Sequence, residues 1–363
     1  MANRVFPYIK TAAPTVNDDT GDGYKVGDMW LDTTNDITYQ AIDVTLGAAV
    51  WIKYLGRMAT SRLIGRTTAS TGNWEEITVG SGLSLSAGSL TATGGSGGDK
   101  YPMEFRLSLE TGVPVSTSDQ TAKTTIYCTP YKGNQIALYD GVSAWTTYTS
   151  AQFSLALGTL TSGLPYDVFC YNNSGTPTLE FLAWTNGTTR ATALTTQDGI
   201  YVKSGATTRR YIGTFYTTST TTTEDSDTHR YIYNYYNRVN RRVYKHPTTA
   251  HTYATAAWRY WNNDTSNKVE FIIGLLEDSI TMQAQGDLDP SAAGVVGILA
   301  AGLNTTSGAG QPVFRNDNAE TVVAATIGMG IPSLGYNYLA LLEYSSGATM
   351  NFNFGEVAAI LSM

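Results

Sequence analysis

Several things are scarce in this chain of 363 residues, and each scarcity excludes something. No apolar run approaches the roughly 18–20 residues that a membrane-spanning helix needs, so membrane insertion is not expected. The start, Met1-Ala2-Asn3-Arg4-Val5-Phe6-Pro7, has no apolar h-region, which predicts synthesis in a cytoplasm without a secretion signal. Cysteine occurs only at Cys128 and Cys170, outside any motif, and a reducing compartment favours two buried free thiols over a disulfide. The three histidines, His229, His246 and His251, have no ligand-like spacing with either cysteine, so no metal site is expected. Charged residues make up 15%, against about 25% in an average soluble protein. The net charge of -7 argues against a nucleic-acid partner.

Threonine fills the gap, with 54 residues beside 36 glycines and 24 tyrosines. That is the composition of strands and tight turns, and it predicts an all-β chain. With 42% hydrophobic residues, the chain has enough apolar material for a real core and is no disordered polymer.

Four segments separate by composition. Residues 1–57 carry seven aspartates from Asp18 to Asp43 and two tryptophans. Gly27–Asp32 reads as a strand, Thr33–Asp36 as a turn and Ile37–Ala41 as its return; Val50–Tyr54 follows after Gly47. This predicts a three-stranded module whose core is Trp30 and Trp51. In residues 58–98, small apolar and polar residues alternate between glycines from Gly80 to Thr93, and Gly94–Gly98 reads as a flexible linker. So few large side chains cannot bury a core, and a strand of this kind pairs most cheaply with a copy of itself. The segment is expected to be a stalk.

Residues 99–246 and 247–363 read as a β-sandwich domain and either a second β domain or its continuation. Tyr166–Tyr171 and Thr178–Trp184 flank a short Gly/Pro turn and predict an antiparallel hairpin. Lys268–Leu276 is apolar on both faces and predicts a central strand, while Met350–Phe354 alternates strictly. Ser291–Leu303 is rich in Ala and Gly; its three glycines favour a strand pair over a helix. Thr217–Thr223 is expected to be a surface loop or an edge strand.

No catalytic motif is present: there is no nucleophile elbow, no zinc-protease helix, no P-loop and no dinucleotide fingerprint. Asn17–Gly23 faintly resembles a calcium loop, but the twelfth position from Asp18 is Met29, so it reads as an acidic turn. Glu110, Glu180, Glu270, Glu277, Asp278, Asp287 and Asp289 are candidate glycosidase carboxylates, and nothing selects a pair. Hence no catalytic residue and no cofactor are assigned. One constellation does stand out. Eight of the 23 Lys and Arg residues fall between Lys203 and His246, interleaved with tyrosines. Arg209, Arg210, Tyr211, Arg230, Tyr233, Arg238, Arg241 and Arg242 are the candidate binding residues, suited on one sheet face to an acidic glycan or partner surface. The alternative reading puts the tyrosines in the core and pairs the arginines with nearby acid. Trp258 and Trp261 likewise read as core or as a sugar platform.

Three stretches carry a resemblance. Tyr24-Lys25-Val26-Gly27-Asp28-Met29-Trp30-Leu31-Asp32, with Ile37-Thr38-Tyr39 and Ala48-Ala49-Val50-Trp51, resembles a short module common in bacteriophage tail and fibre proteins. Leu63–Arg66, Glu75–Leu85 and Gly88–Thr93 are similar to the stalk of many phage tail fibres. Asp198–Thr214 with Arg230–Val239 resembles a domain of phage virion structural proteins. The resemblance implies a virion component, and transfers no catalytic or binding residue.

The combined expectation is a non-enzymatic phage fibre or spike, located in the virion: an intertwined, all-β homotrimer. Its N-terminal module would dock to other phage virion proteins, its stalk would wind three chains together, and a jelly-roll-like sandwich region would face outward. A tail fibre that attaches to host surface polysaccharide is the leading form. A head fibre or capsid decoration protein is one alternative, a glycan-degrading tailspike another.

Overall fold

The computed structural model describes residues 7–54, 58–80, 82–92, 101–308, 311–318 and 320–363. Regular structure in them is β-strand throughout, apart from two single 3₁₀ turns at Thr20–Asp22 and Trp261–Asn263. The chain forms two compact units, residues 1–98 and 99–363.

In the first unit, the expected strands form as Met29–Asp32, Ile37–Asp43 and Val50–Lys53, paired antiparallel in that order. A fourth strand, Tyr8–Lys10, runs parallel to Met29–Asp32 and extends the expected three-stranded sheet. The core is Tyr24, Trp30, Ala41, Val44, Ala49 and Trp51. The two indoles meet edge-on at 5.6 Å. Each tryptophan also ties down a loop, Trp30 through Nε1 to the Ala12 carbonyl and Trp51 through Nε1 to that of Asp18. In the acidic turn, buried Asp19 accepts from the Gly21 and Gly47 amides, and Asp18 from the Thr15 amide. These carboxylates therefore serve as backbone caps.

Residues 58–92 are built differently. Among the described residues, Arg62–Gly65 pairs only with Glu75–Thr78, and Leu83–Ser86 only with Ser89–Ala92. No described residue from 58 to 92 is buried, and Leu83 and Leu90 lie exposed. The first hairpin is tied to the module at Lys53, whose amide donates to Asn73 Oδ1 and whose carbonyl accepts from Trp74 Nε1. The expected linker, residues 94–98, lies outside the described residues.

The second unit holds two β-sandwiches. In the first, Pro165–Asn173 lies between Thr176–Ala183 and Ala206–Tyr216 in one sheet. The expected hairpin is longer than its sequence pattern, because the turn is only the two residues Ser174-Gly175 and the flanking residues join the strands. Both turn residues have positive φ, 51° and 94°, the geometry that matches strand twist. Facing this sheet are Phe105–Ser108, Thr125–Pro130 and Gln135–Tyr139. Phe105, Leu107, Ile126, Cys128, Ile136, Val168, Cys170 and Phe215 fill the space between. Both cysteines are thus core residues. Burial pushes the Cys128 thiol up, and pushes the Cys170 thiol up to about 12.

The second sandwich packs one sheet, centred on Lys268–Ile273, Gly335–Ser345 and Gly297–Leu303, against another that runs Asn240–Lys245, Met350–Ser362, Ile280–Pro290, Val322–Gly330. Phe271, Leu339, Leu341 and Leu299 from the first meet Met282, Leu288, Phe352 and Val357 from the second. Lys268–Ile273 is central, as its two apolar faces require. Of Ser291–Leu303, only Gly297–Leu303 is a strand; a turn precedes it. Asn240–Lys245 pairs along Met350–Ser362, so the residues on either side of position 246 share one sheet. Thr217 and Thr223 close a tight loop through an isolated bridge.

Candidate binding surface

Alternation along one strand decides the fate of the first candidate pair. Arg209 and Arg210 are neighbours on Ala206–Tyr216 and therefore point to opposite faces. Arg209 faces outward, donating through Nε to Glu180 Oε2 at 2.8 Å and lying over the Tyr171 ring at 3.9 Å. Lys203 shares the same carboxylate. Arg210 faces inward and is fully buried, donating to the carbonyls of Tyr101, Pro102 and Ala137 and to the Tyr236 hydroxyl. It locks the segment before Phe105 onto the sheet.

Tyr211 and Tyr233 are also interior. Tyr211 exchanges a hydrogen bond with Thr214 inside a buried network. There Asp167 pairs with Arg190 at 2.7 Å and accepts from Thr214, while Arg190 lies over the Trp184 ring at 4.5 Å. Tyr233 packs in the second core and accepts from Arg238, which also pairs with Glu277 and Asp278. Arg210, Tyr211 and Tyr233 are thus interior, at odds with the outward-facing binding role expected for them, whereas Arg230, although buried, lines a cleft.

Arg230, Arg241 and Arg242 do come together. They line a cleft of about 230 Å³ with Ser116–Asp119, Asp227 and Asn240. Buried Arg230 pairs with Asp225 and Asp227 and donates through Nε to the Arg242 carbonyl. Arg241 donates to the Ser116 carbonyl and to Asp225 at 3.1 Å. Arg242, with 49% of its side chain exposed, pairs with Glu356 at 2.9 Å and stacks on Tyr244 at 3.9 Å. Asp119 adds a further carboxylate, accepting from the Asp227 amide. Each guanidinium on this cleft already faces acid. Of the candidate arginines, Arg242 and Arg209 are the most accessible.

Behind the cleft lies Arg106, which the sequence pattern did not single out. It is buried and donates to the carbonyls of Pro114, Asn237 and Met363. Burial, helped by Arg241, pulls it down to about 10. A second cluster the pattern missed surrounds Glu270. Burial raises its carboxyl, and donors from His229, Lys268, Tyr231 and Tyr336 outweigh that and hold it far below the usual carboxylate range. For His229 burial works downward, and Glu270 and Glu224 at 3.1 Å overcome it and raise the imidazole. A third joins Glu343, fully buried, to His251 and Arg259, both at 2.6 Å. Apart from Lys268 beside Glu270 and Pro114 near Arg106, the partners come from segments far apart in sequence, so local spacing does not announce these clusters. Trp261 is buried core; Trp258 packs on Tyr344 at 5.3 Å.

Of the carboxylates considered for glycosidic chemistry, Glu180, Glu270, Glu277 and Asp278 all pair with cations. Asp287 and Asp289 accept from Asn353 and Asn351.

No protein-family model matches the sequence, and no curated protein matches it. Among solved structures, the chain is similar to infectious bursal disease virus, Gx strain, at 11% identity and a TM-score of 0.21, covering 69% of this chain and 73% of that one. It is also similar to the Bacillus thuringiensis insecticidal crystal protein Cry7Ca1, at 8% identity and a TM-score of 0.17, covering 72% of this chain and 51% of that one. A carbohydrate-binding module of the β-sandwich superfamily follows at 10% identity and 0.14, covering 69% and 94%. At such scores the chain paths do not superpose as one fold, and no argument rests on them.

Proposed function

We propose that this chain is a non-enzymatic structural protein of a bacteriophage virion, a self-assembling fibre or spike, and in its leading form a tail fibre that attaches to the host surface. The observation that carries the reading is the character of residues 58–92. Among the described residues, the two hairpins of this segment form no strand pairing beyond their own and no side chain is fully buried. A lone two-stranded hairpin is marginal in water, so such a segment gains order from company, and three copies of one chain supply it. A module with its own aromatic core before it and a pair of sandwiches after it match an attachment end and an outward end.

The absence of catalysis is part of the proposal. Carboxylates tied to arginine, lysine or asparagine are poorly placed to act as a proton donor and nucleophile pair. Incubation with host capsular polysaccharide is expected to leave its chain length unchanged, and a clear drop in polymer size moves the assignment to a tailspike enzyme. For position on the particle, the full-length protein carrying a gold-labelled epitope tag is incorporated into virions and imaged. Label on tail fibres supports the leading form. Label on the head replaces it with a head fibre or decoration protein, and unlabelled particles overturn the virion reading.

A further inference from the structure

The cleft beside Arg230, Arg241 and Arg242 has a satisfied floor and an unsatisfied rim. On the floor, Arg230 is held by Asp225, Asp227 and the Arg242 carbonyl, and Arg241 by Asp225 and the Ser116 carbonyl. The rim keeps hydrogen-bonding capacity open. Asn240 and Thr117 are exposed, and neither side chain hydrogen-bonds to a described residue. Asp119 uses one carboxylate oxygen for the Asp227 amide, and Asp227 uses one for Arg230. The second oxygen of each stays open to an outside donor.

What this rim accepts follows from what lines it. Among the described residues lining the cleft, Val115 is the one apolar side chain and none is aromatic. Neither an apolar chain nor a flat ring finds a partner there. Charge is balanced as well, because the three arginines stand among four carboxylates, Asp119, Asp225, Asp227 and Glu356. An anion would sit beside Asp119 and Asp227 and find no guanidinium without a carboxylate. A cation would meet the arginines beneath that rim. A neutral group with several hydroxyls suits both kinds of neighbour, since each hydroxyl donates and accepts. The volume of about 230 Å³ lies below the roughly 300–1,000 Å³ of pockets for drug-sized ligands, so one small unit fits.

We infer that this cleft binds a neutral sugar unit, whose hydroxyls donate to Asp119 and Asp227 and pair with Asn240 and Thr117. The inference rests on the attachment reading for the source of that unit, a host-surface polysaccharide, and on the cleft alone for its chemistry. It departs from the acidic glycan that the arginine count suggested. Arg230 holds the Asp227 side chain and Asp119 holds its amide, so this part of the rim is ordered before any ligand arrives. One shallow site binds weakly, and several copies on an assembled fibre multiply the effect.

The test uses the full-length chain and probes that share a ring but differ in charge. They are glucose, galactose and mannose, with the uronate and the amino sugar of each. Titration by saturation-transfer NMR should show at least one neutral hexose binding at about 1–10 mM, at least about fivefold more tightly than its charged forms. Asn240→Ala combined with Thr117→Val should weaken that binding by about tenfold or more. Circular dichroism and melting temperature should not change, because neither side chain holds another part of the chain. Absence of binding by all three hexoses at about 10 mM overturns the inference. So does tighter binding of the uronates or amino sugars, or hexose binding that the double variant leaves intact. The two readings can fail separately. Gold label on tail fibres with no hexose bound leaves attachment standing without this cleft. A hexose bound by a protein absent from virions upholds the cleft and removes the virion reading.

Discussion

Trp30→Ala tests whether the N-terminal module stands on its own small core. The Trp30 ring is buried against Trp51 at 5.6 Å and Tyr24 at 5.8 Å, within a core of only six buried residues. Truncating a buried tryptophan to alanine costs about 3–5 kcal/mol, the transfer loss and the cavity combined. The lost hydrogen bond to the Ala12 carbonyl adds little, because Ala12 is exposed and water replaces the indole. A module of roughly 50 residues, at about 0.05–0.15 kcal/mol per residue, has only about 3–7 kcal/mol in total. The substitution therefore removes most or all of it. Thermolysin should digest the module in the variant while residues 99–363, which form their own unit, stay resistant and keep their thermal transition. Under the docking reading, the variant protein is also missing from purified virions. A module as protease-resistant as the wild type would refute the claim that this aromatic cluster holds it together. Normal virion incorporation of an unfolded module would show that attachment lies elsewhere.

Three further outcomes follow from the geometry. Arg241→Glu should destabilise the fold by roughly 3–5 kcal/mol and lower the melting temperature, because it sets a second carboxylate beside buried Asp225, which then keeps only Arg230, and leaves the Ser116 carbonyl without its donor. Arg242→Glu, at a pair in which the arginine is half exposed, should cost less than Arg241→Glu, and the reverse order in calorimetry would contradict the assigned geometry. The His229 imidazole, facing Glu224 and Glu270, is raised above the ordinary value of about 6.5, so its stabilisation is complete below that pH and is lost as pH rises through the raised value. Melting temperature should fall over that alkaline limb in the wild type and not in His229→Gln; equal slopes would count against the pairing. Ellman's reagent should leave Cys128 and Cys170 untouched in the native protein and titrate both after denaturation, and fast native reaction of either would contradict their burial.

What was legible in the sequence was local. The strict alternation of Met350–Phe354, the doubly apolar Lys268–Ile273 and the Trp30 and Trp51 pattern each reported a strand and its buried side, because strand period and burial are written in neighbouring residues. The all-β composition carried over to every described element but two single 3₁₀ turns. Tyr8–Lys10 was missed because three residues pairing in parallel across an intervening loop leave no periodic trace. The Arg/Tyr concentration was real, but its direction was not readable. Arg209 and Arg210 carry the same chemistry, and only the pairing of their strand decides which faces Glu180 and which is sealed beneath Tyr236. Arg190 with Asp167, and Glu343 with His251 and Arg259, are joined only once distant strands come together. From Ile327 to Ile331 glycine alternates with large apolar residues, and which of them meets water needed the sheet.

Self-assembly of three chains is the claim on which the fibre reading stands, and sedimentation equilibrium of the intact protein in native buffer tests it most directly. The account predicts a single species of three times the 39.1 kDa chain mass, concentration-independent over the accessible range. A species of 39.1 kDa that stays monomeric as concentration rises would contradict it.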